Sequence, residues 1–321
     1  MSKKKSLLIS TKWVGGVGGA ERCLYSFCKS LHPFFDITIV TLEVIPSEFM
    51  VKSPEVTVHS FSSLFAYDTE IPHHFDLYFQ IGPYAPYLMN TFTATQKYLS
   101  PAGNSVTHIE DYFDGILNQT DAGKSLLSDQ SKHKVFPPPC FKMTEETTIV
   151  SGLPENFYLT VFNPYSCIRT YPEGEKECKG QDLLLDICNS LPHPLVWAYD
   201  MRTFSVDFPI KSLPSNCIPL SQKTQSELSY LYQNCKGYIS FSREEGFGWS
   251  IADAILHQAQ LFTRDIGVVT SLTTETRDQL YIYDTQETLL ELINNDKENL
   301  IDYSGDSLNT FDHAKALLDW S

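Results

Sequence analysis

Short apolar runs alternate with amphipathic stretches along most of the chain. The first run, residues 6–11, ends at glycines. The next stretch carries apolar side chains at helical spacing, namely Ala20, Leu24, Phe27, Cys28 and Leu31. Apolar and β-branched runs return at residues 36–42, 76–81 and 106–109. Short buried strands that alternate with helices predict a parallel, doubly wound α/β sheet.

A proline-rich segment divides the chain. Residues 134–143, KVFPPPCFKM, exclude both a regular helix and a central strand. Beyond them the alternation resumes, from FYLTVF at residues 157–162 to GWSIADAILHQ at residues 248–258. The length of 321 residues is about twice that of a common single domain. We therefore expect two Rossmann-like, doubly wound lobes that face a cleft.

The expected domain boundaries follow from this division. Residues 1–145 form the N-terminal domain and residues 146–305 the C-terminal domain. Residues 306–321 are amphipathic and predict a terminal helix that docks on one lobe. The apolar positions of this helix include Phe311, Ala314, Leu317 and Leu318.

The acidic composition restricts the partners of the protein. Its formal net charge is −15, and Lys and Arg do not cluster, so nucleic acid is not an expected partner. A short apolar run follows the basic start MSKKK, which argues against a signal peptide. No run reaches the roughly 18 apolar residues of a membrane span. These features favour a cytoplasmic protein without stable membrane insertion.

Cysteine and histidine spacing predicts no metal site. The eight cysteines include no C-x-x-C pair, and the chain is long enough to fold without a disulfide framework. Reduced thiols are therefore expected. The nine histidines include no H-x-x-x-H pattern, which would favour zinc.

A glycine-rich turn lies between the first predicted strand and helix. Gly16, Gly18 and Gly19 could let the backbone approach an anion at the start of the helix. The alternative is a turn that merely needs a positive φ. The dinucleotide fingerprint fails because Glu21 stands where its last glycine is required. A nicotinamide-dependent dehydrogenase is thereby disfavoured.

A second glycine turn carries acids on both sides. In SREEGFGWSIADAI, residues 242–255, Glu245 and Asp253 are eight positions apart around Gly-Phe-Gly, where a helix is predicted to begin. With GGAER after the first strand, this segment resembles the retaining GT-B glycosyltransferases of family 4. The matching residues in the second motif are Ser242, Glu245, Gly246, Phe247, Gly248 and Asp253.

The resemblance implies a role for each part of this turn. The amides of residues 246–248 would hold the pyrophosphate of a nucleotide-sugar donor. Glu245 would accept hydrogen bonds from the transferred sugar, and Asp253 from the ribose. The family usually has the longer Glu at this second position. The alternative is one acid that stabilises the helix N-terminus and one ordinary solvated aspartate.

Three further residues join the expected site. Lys179, in the Lys-Gly pair before a predicted helix, would stabilise the departing phosphate. Asn163 and Pro164 stand where the family often has Gly-Arg, which leaves Arg169 as a candidate second cation, with Lys176 as the alternative. His108 would face the cleft and take part in the reaction, although Glu110 or Asp111 is an alternative. Loop residues 265–267 would line the floor of the cleft.

The resemblance implies a metal-independent glycosyltransferase that transfers a sugar with retention. The donor would be a UDP- or GDP-sugar, the acceptor a glycan or another hydroxyl-bearing molecule, and no cofactor would be needed. The D-x-D signature of metal-dependent glycosyltransferases does not occur. A first alternative is an inactive glycosyltransferase-like partner or sugar-nucleotide sensor. A second is a phosphorylase or epimerase on the same architecture.

Overall fold

The computed structural model describes residues 4–15, 18–45, 56–60, 71–82, 91–101, 109–164, 168–171, 174–200, 213–295, 308 and 311–320. The chain divides into two units. The first combines Met1–Cys140 with Asn309–Ser321, and the second is Phe141–Leu308. Each unit contains one large parallel sheet.

The first unit is built on a seven-stranded parallel sheet of order β3-β2-β1-β4-β5-β6-β7. Its strands are β1 (Lys5–Gly15), β2 (Phe35–Ile45), β3 (Val56–Ser60), β4 (His74–Ile81), β5 (Thr93–Ser100), β6 (Gly115–Asn118) and β7 (His133–Val135). The runs predicted at residues 36–42 and 76–81 lie in β2 and β4. The run at residues 106–109 lies outside the described residues except for Ile109, which is in a turn.

The second unit has a six-stranded parallel sheet of order β12-β11-β8-β13-β14-β15. Its strands are β8 (Tyr158–Val161), β11 (Leu195–Tyr199), β12 (Cys217–Ser221), β13 (Gly237–Ile239), β14 (Leu261–Thr263) and β15 (Tyr281–Ile282). An antiparallel hairpin of β9 (Ile168–Tyr171) and β10 (Gly174–Glu177) follows β8, in a segment that the sequence predicts only as a long loop.

Helices connect the strands and end the chain. They are α1 (Gly19–Leu31), α2 (Gln181–Ile187), α3 (Gln225–Asn234), α4 (Trp249–Leu256), α5 (Thr274–Arg277), α6 (Gln286–Asn294) and α7 (His313–Trp320). Helix α3 begins at a capping box, in which Thr224 and Glu227 satisfy each other's backbone amides. The two parallel sheets with connecting helices confirm the predicted doubly wound α/β class.

Helix α7 packs on the first unit through an aromatic cluster around Phe136. The ring of Phe136 is stacked on Phe27 of α1 at 5.0 Å and contacts Trp320 at 5.7 Å. His313 Nε2 lies 2.6 Å from the carbonyl oxygen of Pro137. Leu317 of the same helix is buried, whereas Leu318 is exposed. The last helix of the chain therefore completes the core of the first unit.

The strand order of the second sheet marks where a ligand can bind. Strands β8 and β13 are neighbours, but the chain leaves them toward opposite edges, through β11 on one side and β14 on the other. At such a switch point the loops beyond the carboxyl ends of the strands separate and leave a crevice. The segments that follow β8 and β13 carry Lys179 and Glu245.

Two further observations concern the sequence expectations. Cys178 is disulfide-bonded, so the expectation of reduced thiols is wrong at this residue. Among the described residues, the cysteines with free thiols are Cys23, Cys28, Cys140, Cys188, Cys217 and Cys235. Across the described ranges, none of the helices combines the length and apolar character that a membrane crossing requires.

Candidate functional site

The central element of the candidate site is the segment that joins β13 to α4, residues 242–248, which we call the acidic turn. Gly248 caps α4 in the left-handed conformation, with φ +84°. The amides of Ile251 and Ala252 both lie 3.0 Å from its carbonyl oxygen. Because this backbone conformation favours glycine, the glycine sets where the helix begins. The Gly-Phe-Gly sequence thus turns the chain sharply from strand to helix.

Gly180 brings Lys179 against the acidic turn. It adopts φ +70° directly before α2, and a Cβ atom here would lie 2.1 Å from the carbonyl oxygen of Phe241. Two backbone segments can therefore meet only because this residue lacks a side chain. The close approach places the lysine from the β8 connection beside the carboxylate that follows β13.

Lys179 and Glu245 form a short ion pair. The Lys179 Nζ atom lies 2.6 Å from both carboxylate oxygens of Glu245, and the Ser242 hydroxyl donates to Oε1 at 2.7 Å. The side chain of Glu245 is 10% exposed and that of Lys179 is 31% exposed. The site thus offers a cation for phosphate and a carboxylate for hydroxyl groups, each neutralised by the other.

Asp253 lies in α4 and is buried. Its charge acts on the same group as that of Glu245, the buried phenol of Tyr238. Burial raises the pKa of this phenol, a hydrogen bond with Ser250 lowers it, and the charges of Glu245 and Asp253 raise it further. Both carboxylates therefore lie within electrostatic reach of one phenol, that of a residue outside the motifs in the sequence.

A third segment, the loop after β14, packs on the acidic turn. The amide of Val268 donates to the carbonyl oxygen of Phe247 at 2.6 Å. Gly267 has φ +55°, and a Cβ atom there would lie 2.5 Å from the same oxygen. The ring of Phe247 is buried and meets Trp249 edge to face at 4.9 Å. In the sheet, β8 and β14 lie on opposite sides of β13. The loop after β14 and Gly180 after β8 therefore contact the acidic turn from opposite sides.

Two arginines pair with carboxylates in or beside the acidic turn. Arg243 binds both carboxylate oxygens of Asp182, at 2.7 and 2.8 Å. Burial opposes ionisation of Asp182, but the hydrogen bonds and charge of Arg243 outweigh it and lower the pKa of the carboxyl group. Arg169, on the hairpin, lies 2.6 Å from Glu244. Arg169, which the sequence indicates only as a candidate, therefore lies beside the acidic turn in the structure.

The glycine turn of the first unit is arranged differently. Gly18 caps α1 with φ −85°, an ordinary extended conformation. Burial raises the pKa of Glu21, and hydrogen bonds from the amides of Glu21 and Gly18 oppose that shift. A carboxylate of the helix itself therefore occupies these amides. Gly19 is the first residue of α1, while Gly16 and His108 lie outside the described residues.

No cluster of three or more histidine, cysteine or carboxylate side chains suited to a metal ion occurs in the described part of the chain.

Comparison with known proteins identifies the fold. No protein-family model matches the chain, and no curated protein matches it in sequence. HepE from Anabaena, solved in complex with UDP-glucose, matches with a TM-score of 0.64 and 15% identity over 98% of this chain and 94% of HepE. Sucrose-phosphate synthase from Thermosynechococcus elongatus matches with a TM-score of 0.61 and 11% identity over 99% and 95% of the two chains. The apo form of WaaB, a lipopolysaccharide outer core galactosyltransferase, matches with a TM-score of 0.58 and 12% identity over 98% of both chains.

These likenesses extend over both units of the chain. The fold is the GT-B fold of glycosyltransferases.

Proposed function

We propose that this protein is a retaining glycosyltransferase that uses a nucleotide-sugar donor and needs no metal ion. One observation carries the proposal: Lys179, Glu245 and Ser242 converge at the glycine-lined start of α4, at the switch point of the second sheet. Ligands of doubly wound folds bind at such a point. The likeness to HepE, which was solved with UDP-glucose, supports the choice of donor class.

Donor binding would redistribute the charges of the ion pair. The diphosphate would approach the amides of residues 246–248 and the ammonium group of Lys179, which together stabilise negative charge. Glu245, which pairs with Lys179, would then accept hydrogen bonds from sugar hydroxyls. Asp253 would accept hydrogen bonds from the ribose. Each group has a role that matches its charge.

The proposed transfer step retains the configuration of the anomeric carbon. The bond between the anomeric carbon and the diphosphate oxygen breaks, and its electron pair stays on the phosphate. The acceptor oxygen forms its bond to the same carbon on the same face, and its proton passes to the departing phosphate oxygen. Lys179 and the amides stabilise the charge that develops on the leaving group. Positioning supplies much of the remaining rate increase.

The roles of the first unit remain part of the proposal. We assign the acceptor, a glycan or another hydroxyl-bearing molecule, to this unit. His108 and the glycines 16, 18 and 19 are assigned by resemblance alone. If Gly18 is to bind phosphate, the carboxylate of Glu21 must first leave its amide.

A second candidate function is a protein that binds the donor without transferring its sugar. It is favoured by the ion pairs that engage Lys179 and Arg169, and by the short side chain of Asp253. Release of a free nucleoside diphosphate in the presence of acceptor distinguishes the two functions, since a sensor binds the donor without consuming it.

Thermal-shift measurements with UDP, GDP and ADP, followed by calorimetry, test the proposal. A ligand that binds only the folded state raises the melting temperature, so one nucleotide should stabilise the protein. Lys179→Met should weaken this binding strongly. Lys236→Met is the matched control, because Lys236 precedes β13 and therefore lies at the amino ends of the strands. Equal affinities of both variants and wild type would contradict the assignment of Lys179.

A further inference from the structure

Arg243 lies inside the acidic turn, two positions before Glu245. Its guanidinium group binds Asp182, in the first turn of α2, with two parallel hydrogen bonds of 2.7 and 2.8 Å. Two-pronged pairs of this kind fix geometry more strictly than single contacts. The Arg243 side chain is 11% exposed and that of Asp182 is 37% exposed. The pair therefore joins the acidic turn to α2 close to the surface of the unit.

The same arginine also holds the chain on the other side of Lys179. Its Nη1 atom donates to the carbonyl oxygen of Glu177 at 2.7 Å, and its backbone amide donates to that of Cys178 at 2.8 Å. Glu177 in turn accepts a hydrogen bond from the amide of Gln181 at 2.7 Å. Arg243 thus fixes the chain both just before and just after Lys179.

This arrangement matters when the site is occupied. A lysine ammonium is a point charge on a flexible four-carbon stem, so its position depends on what holds it. Glu245 holds it through two contacts of 2.6 Å. Once Glu245 binds sugar hydroxyls, it restrains the ammonium group less. The backbone on either side of Lys179 then becomes the main restraint on the position of the ammonium group.

We propose that Arg243, together with Asp182, is a positioning residue that keeps the Lys179 ammonium group where it meets the donor diphosphate. This inference rests on the proposed function. It assigns a role to a residue that occupies an unspecified position of the Ser-x-x-Glu motif. Arg243 acts through Lys179 and does not itself touch the donor.

The competing explanation is a salt bridge that only stabilises the fold. The two explanations differ in what they predict for ligand affinity. A purely structural pair lowers the melting temperature when it is broken and leaves the affinity for nucleotide unchanged. A positioning pair also weakens the affinity, and it does so through Lys179, so that its effect disappears when Lys179 is already gone.

A double-mutant cycle on the full chain separates these outcomes. Calorimetry would measure the dissociation constant of UDP, or of GDP if UDP does not bind, for wild type, Arg243→Met, Lys179→Met and the double variant. Arg243→Met should raise the dissociation constant about tenfold, the size expected for residues in one hydrogen-bonded network. The double variant should bind no more weakly than Lys179→Met alone. Arg243→Lys should recover only part of the loss, because lysine keeps the positive charge but cannot form the two-pronged contact.

Asn216→Ala provides the structural control. The Asn216 side chain donates to the carbonyl oxygens of Cys188 and Leu191, directly before β12 and thus at the amino ends of the strands. Its loss should lower the melting temperature without changing the dissociation constant. If Arg243→Met does not fold, Asp182→Asn takes its place in the cycle, since it removes the charge and keeps the shape of the side chain.

Three results would overturn the inference in different ways. If Arg243→Met lowers the melting temperature but changes the dissociation constant less than twofold, the pair is only structural. If the effects of Arg243→Met and Lys179→Met multiply, Arg243 does not act through Lys179. If wild type binds none of the nucleoside diphosphates, the proposed function fails first and the inference fails with it.

Discussion

Replacement of Gly180 by alanine tests whether the close approach of two turns builds the site. Gly180 and Gly152 both have positive φ, +70° and +79°, which alanine adopts only at a cost in free energy at either position. The added Cβ atom has nothing within 4 Å at position 152, but it lies 2.1 Å from the Phe241 oxygen at position 180. The pair of variants therefore separates the cost of the conformation from the cost of the contact.

The expected magnitudes follow from these two terms. A left-handed conformation costs a non-glycine residue about 1–2 kcal/mol, and Gly152→Ala should show this cost alone. An ordinary carbon–oxygen contact is about 3.3 Å, so Gly180→Ala must also move the Phe241 carbonyl or α2 by about 1 Å. Such overpacking costs about 1–3 kcal/mol more. Part of a total stability of about 5–15 kcal/mol is then lost from the second unit.

Urea unfolding of both variants and wild type measures the difference, and calorimetry with UDP adds a second readout. Gly180→Ala should unfold at a clearly lower urea concentration than Gly152→Ala. It should also bind UDP more weakly, because the displaced turn carries Lys179, whereas Gly152→Ala should bind as wild type does. Equal destabilisation by the two substitutions would refute the claim that contact with Phe241 requires a glycine here.

Three further predictions concern ionisable groups and thiols. The pKa of Asp182 is lowered below its ordinary value of 3.8. Its pairing with Arg243 therefore stabilises the protein above that pH, and this stabilisation is lost as the pH falls through the folded-state pKa. The difference in melting temperature between wild type and Asp182→Asn should close in that acidic range. Burial lowers the pKa of His313 below 6.5, while its contact with Pro137 partly opposes the shift, so the docked α7 takes up a proton less readily than a detached one. Acidification below pH 6.5 should then loosen α7 in wild type but not in His313→Phe, and the fluorescence of Trp320 reports it; an identical pH profile for the two proteins would contradict this reasoning. Because Cys178 is disulfide-bonded, the denatured protein should titrate fewer than eight thiols before reduction and eight after it, and eight at the outset would show that the bond is absent.

The fold was predictable because its signal is local and repeated. Runs such as residues 76–81 consist mostly of buried positions in a parallel sheet, and their spacing leaves room for connecting helices. The hairpin of β9 and β10 was not predicted, since its two strands have four residues each and exposed side chains. Short exposed strands lack the alternation on which such a prediction depends.

The candidate site was predictable in part for a related reason. Gly246 to Gly248 and Glu245 lie within one turn, so their spacing alone places them together. Arg243 and Asp182 are 61 positions apart, and only the fold brings them into contact. The sequence does carry a signal for Glu21, because a carboxylate three residues after an N-cap commonly binds the amide of that cap.

The position of α7 has a practical consequence for work on isolated domains. A fragment that stops at Cys140 would leave the rings of Phe27 and Phe136 without the helix that shields them, and exposed aromatic surface of this kind promotes aggregation. A usable version of the first unit would have to graft the segment from Phe311 to Trp320 behind Cys140 through a flexible linker. The second unit needs no such splice, because it is a single stretch of polypeptide.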